Sequence, residues 1–251
     1  MSKQALIDYT LHLADNSLIL AQRNSEWTGH GPILEQDIAL SNIALDLLGQ
    51  ARLLYQYAAG LTNNGATEDS LAYLRDSWDF KNCLLTELDK GDWATTTLRQ
   101  FFFSAYQWCL FNRLQHSKDE TLAAIAAKAL KEVAYHLRWS GEWVVRLGDG
   151  TTESHRRIHT ALHDLWPYTG ELLMPAGYEQ TLAVEGMAPD PSSFKDDWTA
   201  RVTAVLGEAT LPLPANHWMQ SGGKEGKHTE HLGYVLAEMQ YLQRTYPGCE
   251  W

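Results

Sequence analysis

Lys131-Glu132-Val133-Ala134-Tyr135-His136 lies in a run where Leu122, Ala126, Ala129, Val133 and Leu137 recur at helical spacing. In di-iron bundles, helices that each give a Glu-x-x-His pair or a single Glu project those ligands into one core. Here the residue three before His136 is Val133. Valine has no lone pair, and oxygen-activating iron needs carboxylates and imidazoles that hold it with open positions. Glu132 and His136 are four apart and flank the apolar row, so both are expected to face inward. A buried Glu–His hydrogen bond, or a partly exposed pair, is the plainer reading. The segment reads as a metal site that has lost its ligand set.

A partner for this element is expected on the stretch Ile38 to Ala59, which is apolar nearly all round and interrupted mainly by Ser41, Asn42, Asp46, Gln50 and Arg52. Such a pattern predicts a central helix in the bundle interior. Asp46-Leu47-Leu48-Gly49-Gln50 offers one carboxylate, then Gly or Gln where a histidine would complete a pair. A buried Asp46 would need hydrogen bonds, for example from Gln50 one turn on or from a histidine of another helix. Two incomplete pairs on neighbouring helices argue more strongly against metal than either alone. Asp46, Glu132 and His136 therefore stand as remnants, and no catalytic, cofactor-binding or metal-ligating residue is assigned.

The rest of the 251-residue chain extends the same pattern. Breakers divide it into eight expected helices, at about 4–22, 34–59, 68–88, 93–116, 120–147, 153–173, 192–209 and 228–245, with no convincing alternating strand. Pro175-Ala176-Gly177 and Ala188-Pro189-Asp190-Pro191 frame what reads as a long irregular loop. A single domain over residues 1–251 is expected. The net charge of -11 argues against a nucleic-acid backbone or an anionic membrane as partner. Cys83, Cys109 and Cys249 are odd in number and far apart, which suggests reduced thiols. The start, MSKQALIDYTLHLADN, lacks a signal-peptide core and a spanning stretch, so the expected location is the cytoplasm. Ten tryptophans, among them Trp27, Trp78, Trp139, Trp143, Trp198 and Trp218, suit either a core or a protein-binding face.

Other candidate sites are weaker. His155, His159 and His163 repeat every fourth residue, so two of them have the spacing to grip zinc or nickel, yet Glu153, Arg156, Arg157 and Asp164 mark that face as solvated. Ser221-Gly222-Gly223-Lys224-Glu225-Gly226-Lys227 fails as a phosphate loop, because Gly226-Lys227 is followed by His228 rather than Ser or Thr. Its glycines are expected to let a tight loop enter the last helix, capped by Thr229. For His228 and His231, capping and packing outweigh a ligand role.

Taken together, the central helix, Lys131–Ser140 and Gly222-Gly223-Lys224-Glu225-Gly226-Lys227-His228-Thr229-Glu230-His231-Leu232-Gly233 resemble the PaaC-type subunit of bacterial ring-1,2-phenylacetyl-CoA epoxidase. Trp27-Thr28-Gly29-His30, Asn42–Arg52 and Leu236–Arg244 carry the resemblance further, and it runs end to end. It implies an all-α, ferritin-like four-helix bundle core with additional helices. The implied partners are a catalytic PaaA-type subunit, paired as a heterodimer that assembles into a heterotetramer, and the other epoxidase subunits. The di-iron centre and the thioester site belong to that partner, and NADPH, FAD and a 2Fe-2S cluster belong to the reductase of the complex. No cofactor is implied for this chain. In the catalytic relative a glutamate stands at the position of Val133 and a histidine near Gly49–Gln50, so those ligand roles do not carry over. Two other readings remain at this point. One is a metal-dependent oxygenase or oxidase with an atypical set drawn from Asp46, Glu132, His136 and other polar residues. The other is a CoA-thioester binding module that meets phosphates through Lys224, Lys227 and Arg244.

Overall fold

The computed structural model describes residues 2–215 and 218–249, which form two compact units: residues 2–89 with 222–249, and residues 90–215 with 218–221. Eleven α-helices and no strand are found among the described residues.

In the first unit α1 (Lys3–Ser25) pairs along its length with α2 (Leu34–Thr62). Ser2 starts α1 by accepting from the Ala5 amide at 3.3 Å, and Asn63, in the left-handed region at φ 52°, ends α2. The sequence pattern casts α2 as the interior helix; the structure gives that place to α1. Eighteen of the 23 residues of α1 are buried, against ten of 29 in α2. Hydropathy hid this because α1 buries Thr10, His12, Asp15, Asn16, Arg23 and Asn24 among its apolar residues. His12, Asp15, Asn16 and Arg23 find partners elsewhere in the unit, while Thr10 bonds the Leu6 carbonyl of its own helix. Asp15 accepts from the Lys81 amide at 2.8 Å, from the Tyr55 hydroxyl and from the Arg75 guanidinium; His12 Nδ1 donates to the Lys81 carbonyl at 2.7 Å; and Asn16 accepts from the Cys83 amide at 2.8 Å.

That demand explains why the expected helix over about 68–88 does not form. α3 (Glu68–Tyr73) ends early, a 3-10 turn occupies Ser77–Asp79, and only the single turn α4 (Leu84–Glu87) follows. An unbroken helix would spend the amides of Lys81 and Cys83 on its own ladder and leave buried acceptors on α1 unmatched. Arg75 fixes the irregular stretch, lying over the Phe80 ring at 4.2 Å and donating to the Asp79 carbonyl at 2.9 Å.

In the second unit α5 (Trp93–Leu114) and α6 (Glu120–Gly148) form a second long hairpin, capped by Asp92 and Asp119, which accept from the Thr95 amide at 3.0 Å and the Leu122 amide at 2.9 Å. α5 is the buried member, with Phe101, Phe102, Phe103, Tyr106 and Phe111 in the core. α7 (Thr152–Leu165) packs on both. The expected helix over about 153–173 stops at Leu165 and continues as 3-10 turns, where Pro167 supplies no amide. Within the stretch read as a long loop, Gly177–Glu185 forms α8, with the buried Glu179 accepting from the Ala176 amide at 2.8 Å. α9 (Lys195–Glu208) completes the unit, and Trp198 Nε1 donates to the Phe102 carbonyl at 3.2 Å. The C-terminal helix expected over about 228–245 belongs to the first unit and is interrupted at Gln240, giving α10 (Glu230–Met239) and α11 (Tyr241–Thr245). The fold is all-α and ferritin-like in class, two long helix hairpins with additional helices.

Candidate functional site

On α6, Leu122, Ala126, Ala129, Val133, His136, Trp139 and Ser140 are buried on one side. Val133 and His136 are both 0% exposed, whereas Glu132 is only half-buried. The core-facing side of this helix therefore carries one imidazole and no fully buried carboxylate. Asp46 lies in the first unit, on α2, and is half-buried; Gln50, one turn on, is buried. Among the described residues no three His, Cys, Asp or Glu side chains come together as a metal-binding group. A di-iron centre draws on four carboxylates and two histidines, and the donors on α2 and α6 do not fit it.

The histidines of α7 line up as their spacing predicts, with the His159 and His163 ring centroids 4.7 Å apart. His155 Nδ1 donates to the Gly148 carbonyl at 2.7 Å, and Arg156 and Arg157 hold the exposed Glu153, so the face is solvated and self-paired. The tryptophans divide: Trp139 and Trp198 are buried, Trp27 and Trp143 are half-buried, and Trp78 and Trp218 are 80% and 83% exposed.

The densest polar chemistry lies in the first unit, around Glu87, which is 0% exposed. One carboxylate oxygen accepts from the Thr229 amide at 2.7 Å and its hydroxyl at 2.9 Å; the other accepts from His228 Nδ1 at 2.7 Å and Asn82 Nδ2 at 2.8 Å. Four donors fill a carboxylate's four lone-pair directions, so none is left for a metal or a substrate proton. The Glu87 carbonyl in turn accepts from Arg23 at 2.8 and 3.1 Å. Thr229 thus serves Glu87 and makes no side-chain cap bond to α10. The glycines of the preceding loop are set by close approach. Gly226 has φ 79°, and a Cβ there would strike the Trp78 carbonyl, while a Cβ on Gly223 would strike that of Asn82.

His228 Nε2 faces the Phe80 carbonyl at 2.9 Å, so both ring nitrogens meet acceptors and both must carry protons. Burial opposes that charge, but the Glu87 carboxylate, and after it the Phe80 carbonyl, outweigh it and raise the imidazole above its ordinary value. His12 is the opposite case. Burial, with the Lys224 charge adding to it, lowers its pKa to about 3, so it stays neutral. The two histidines bracket stability. The raised His228 gives a contribution that is complete below about 6.5, the value in the unfolded chain, and is lost as pH rises through the folded value. The lowered His12 gives one that is complete above about 6.5 and is lost as pH falls toward about 3. Denaturant titrations across pH are expected to show the alkaline decline flattened by His228→Gln and the acid decline flattened by His12→Gln. Unchanged slopes in both variants would contradict these assignments.

Lys224 is 3% exposed, Lys227 sits 3.7 Å from Glu225, and Arg244 bonds Asp76 at 3.0 Å and the Arg75 carbonyl at 2.9 Å. These cations do not make an open phosphate-binding cluster. Glu87 and Asp15 were not singled out in the sequence. The available signal is a carboxylate set in apolar surroundings, Leu84-Leu85-Thr86-Glu87-Leu88 and Leu13-Ala14-Asp15, since a lone charge among buried aliphatics requires partners.

The chain is 50% identical over 246 residues, 98% of its own length and 99% of the relative's, to the C-type subunit of the 1,2-phenylacetyl-CoA epoxidase of Escherichia coli strain K12. It also matches the phenylacetic acid catabolic protein family over residues 1–251. With a full-length family match and a relative of that identity, the chain belongs to the phenylacetic acid catabolic protein family.

Proposed function

We propose that the chain is a non-catalytic, structural subunit of a multicomponent phenylacetyl-CoA epoxidase in aerobic phenylacetate degradation. It binds the di-iron, PaaA-type catalytic subunit and keeps it folded. The carrying observation is the full-length similarity to a subunit of such an epoxidase together with Val133, a fully buried aliphatic three residues before His136. A catalytic bundle must place several carboxylates in its core at a cost in folding free energy. A sister bundle free of that demand offsets the cost by burying apolar area against it, as obligate partners do. Oxygen chemistry is then the partner's, and electrons reach it from the reductase of the complex. The complex works in the cytoplasm, and no described helix is long and apolar enough to cross a membrane.

The test is to produce the catalytic subunit with and without this chain. Without it, soluble yield and epoxidation of phenylacetyl-CoA are expected to fall at least about tenfold, the loss that accompanies about 1.4 kcal/mol of destabilisation. A catalytic subunit that is soluble and fully active alone would overturn the proposal.

A further inference from the structure

Three asparagines precede a glycine or a serine: Asn16 before Ser17, Asn24 before Ser25 and Asn64 before Gly65. Such a pair can close a cyclic imide, in which the nitrogen of the following residue attacks the asparagine side-chain carbonyl carbon. Ring closure needs that nitrogen free of hydrogen bonds and a backbone able to leave the helical conformation. The structure separates the three. Asn16 and Asn24 are 2% and 0% exposed on α1, and the amides of Ser17 and Ser25 belong to its i→i−4 ladder. Asn16 is held further by accepting from the Cys83 amide.

Asn64 lies in the connection between α2 and α3 and is exposed. Gly65 has φ 83°, and a Cβ built on it would meet nothing within 4 Å, so the approach to its nitrogen is open. Among the described residues the Gly65 amide has no acceptor. Asn64 Oδ1 accepts from the Ala66 amide at 3.1 Å. The ring closed by this bond contains both Asn64 Cγ and the Gly65 nitrogen, so the attacked and attacking atoms are held in one turn. The Ala66 amide also faces the oxygen on which negative charge develops during attack. Gly65 leaves its left-handed conformation at little cost, because it carries no Cβ.

We propose that Asn64 is a site of spontaneous deamidation, with the Gly65 nitrogen as nucleophile. That nitrogen gives its proton to hydroxide and bonds to Asn64 Cγ. The Cγ–Nδ2 bond then breaks, and the amino group takes a proton from water and leaves as ammonia. Water opens the imide at either carbonyl, and no oxidant or reductant is needed. Opening at Cγ leaves aspartate; opening at the backbone carbonyl leaves a β-linked aspartate whose main chain runs through the former side chain. Either product makes the chain one unit more negative than its net charge of -11. The β-linked product adds a backbone carbon between Asn63, the left-handed cap of α2, and Thr67, the cap of α3. It also presents an exposed α-carboxylate, the group that protein carboxyl methyltransferases esterify.

The test ages the full-length chain near neutral pH, folded and in parallel unfolded in urea, and maps its peptides by mass spectrometry. In the folded chain the peptide holding residue 64 is expected to gain one mass unit and to split into two chromatographic forms, while Asn16 and Asn24 keep their amides. In urea all three convert. The folded rate is expected to rise with hydroxide concentration. Gly65→Ala is expected to slow conversion at Asn64 at least about tenfold, since a Cβ then shields the nitrogen. Asn64→Gln is expected to keep its amide, with the circular dichroism of both variants unchanged. A purified protein carboxyl methyltransferase is expected to label residue 64 of the aged wild-type chain. An Asn64 that keeps its amide in the folded chain while converting in urea would overturn the proposal. A mass gain without methyl label would also overturn it, because direct hydrolysis gives only the α-linked product, and so would a Gly65→Ala rate equal to wild type.

Discussion

Glu87→Ala is expected to destabilise the chain by about 3–5 kcal/mol, the cost of removing one partner from a buried charge pair. Glu87 joins the turn ending at residue 87 to the segment beginning at Gly222 through three hydrogen bonds and takes a fourth from Asn82, and its loss leaves a buried imidazolium and a buried amide without their acceptor. Glu87→Gln should cost less. Its amide oxygen can still accept, while its NH2 group faces existing donors and the charge opposing His228 is gone. The His228 imidazole is then expected to titrate below its present position, because the carboxylate that raises it is missing. Urea unfolding at neutral pH measures the first effect, and histidine NMR titration of Glu87→Gln the second. A stability within about 0.5 kcal/mol of wild type, the range of an ordinary surface change, would show that the network is not the anchor described.

Val133→Glu restores the Glu-x-x-His spacing with His136 and is expected to yield a less stable protein, not an iron protein. Val133 is 0% exposed on α6 between Ala129 and Leu137. A carboxylate there loses its hydration without a converging ligand set to replace it, at a cost of about 3–5 kcal/mol when ionised. The sign with pH follows. A buried carboxyl takes up a proton more readily than it does in the unfolded chain, so the defect is small in acid and grows as pH rises above about 4.3, the ordinary glutamate value. Denaturation across pH reads the slope and metal analysis the iron. Iron bound by this variant at two per chain would mean that the surrounding donors are in place and only the carboxylate is missing.

Much of the fold was legible because its long helices announce themselves locally. α1, α2, α5 and α6 fall within a few residues of where periodicity places them. The failures share a cause, which is partners distant in sequence. Residues 68–88 have helical spacing, yet the backbone of Lys81 and Cys83 is claimed by His12, Asp15 and Asn16, more than 60 positions away. Glu87 and His228 are separated by 141 positions, and neither neighbourhood names the other. The misreading of α2 is different in kind. Exposed aliphatics on a helix give the same apolar pattern as those facing a core, so Ile38, Leu45 and Leu48, within the stretch read as interior, are exposed instead. For the candidate site, sequence located His136 as buried and Glu132 beside it, because helical spacing fixes which residues share a face. It overstated the burial of Asp46, which is half-buried.

Iron per chain separates a structural subunit from an oxygen-activating one. The chain should be purified without a histidine tag from iron-supplemented cells and assayed by inductively coupled plasma mass spectrometry, beside its complex with the catalytic subunit. Near-zero iron is expected on the free chain and about two irons per catalytic subunit in the complex. About two irons on the free chain, lost on replacing Glu132 or His136, would make it an oxygen-activating subunit and overturn its structural role.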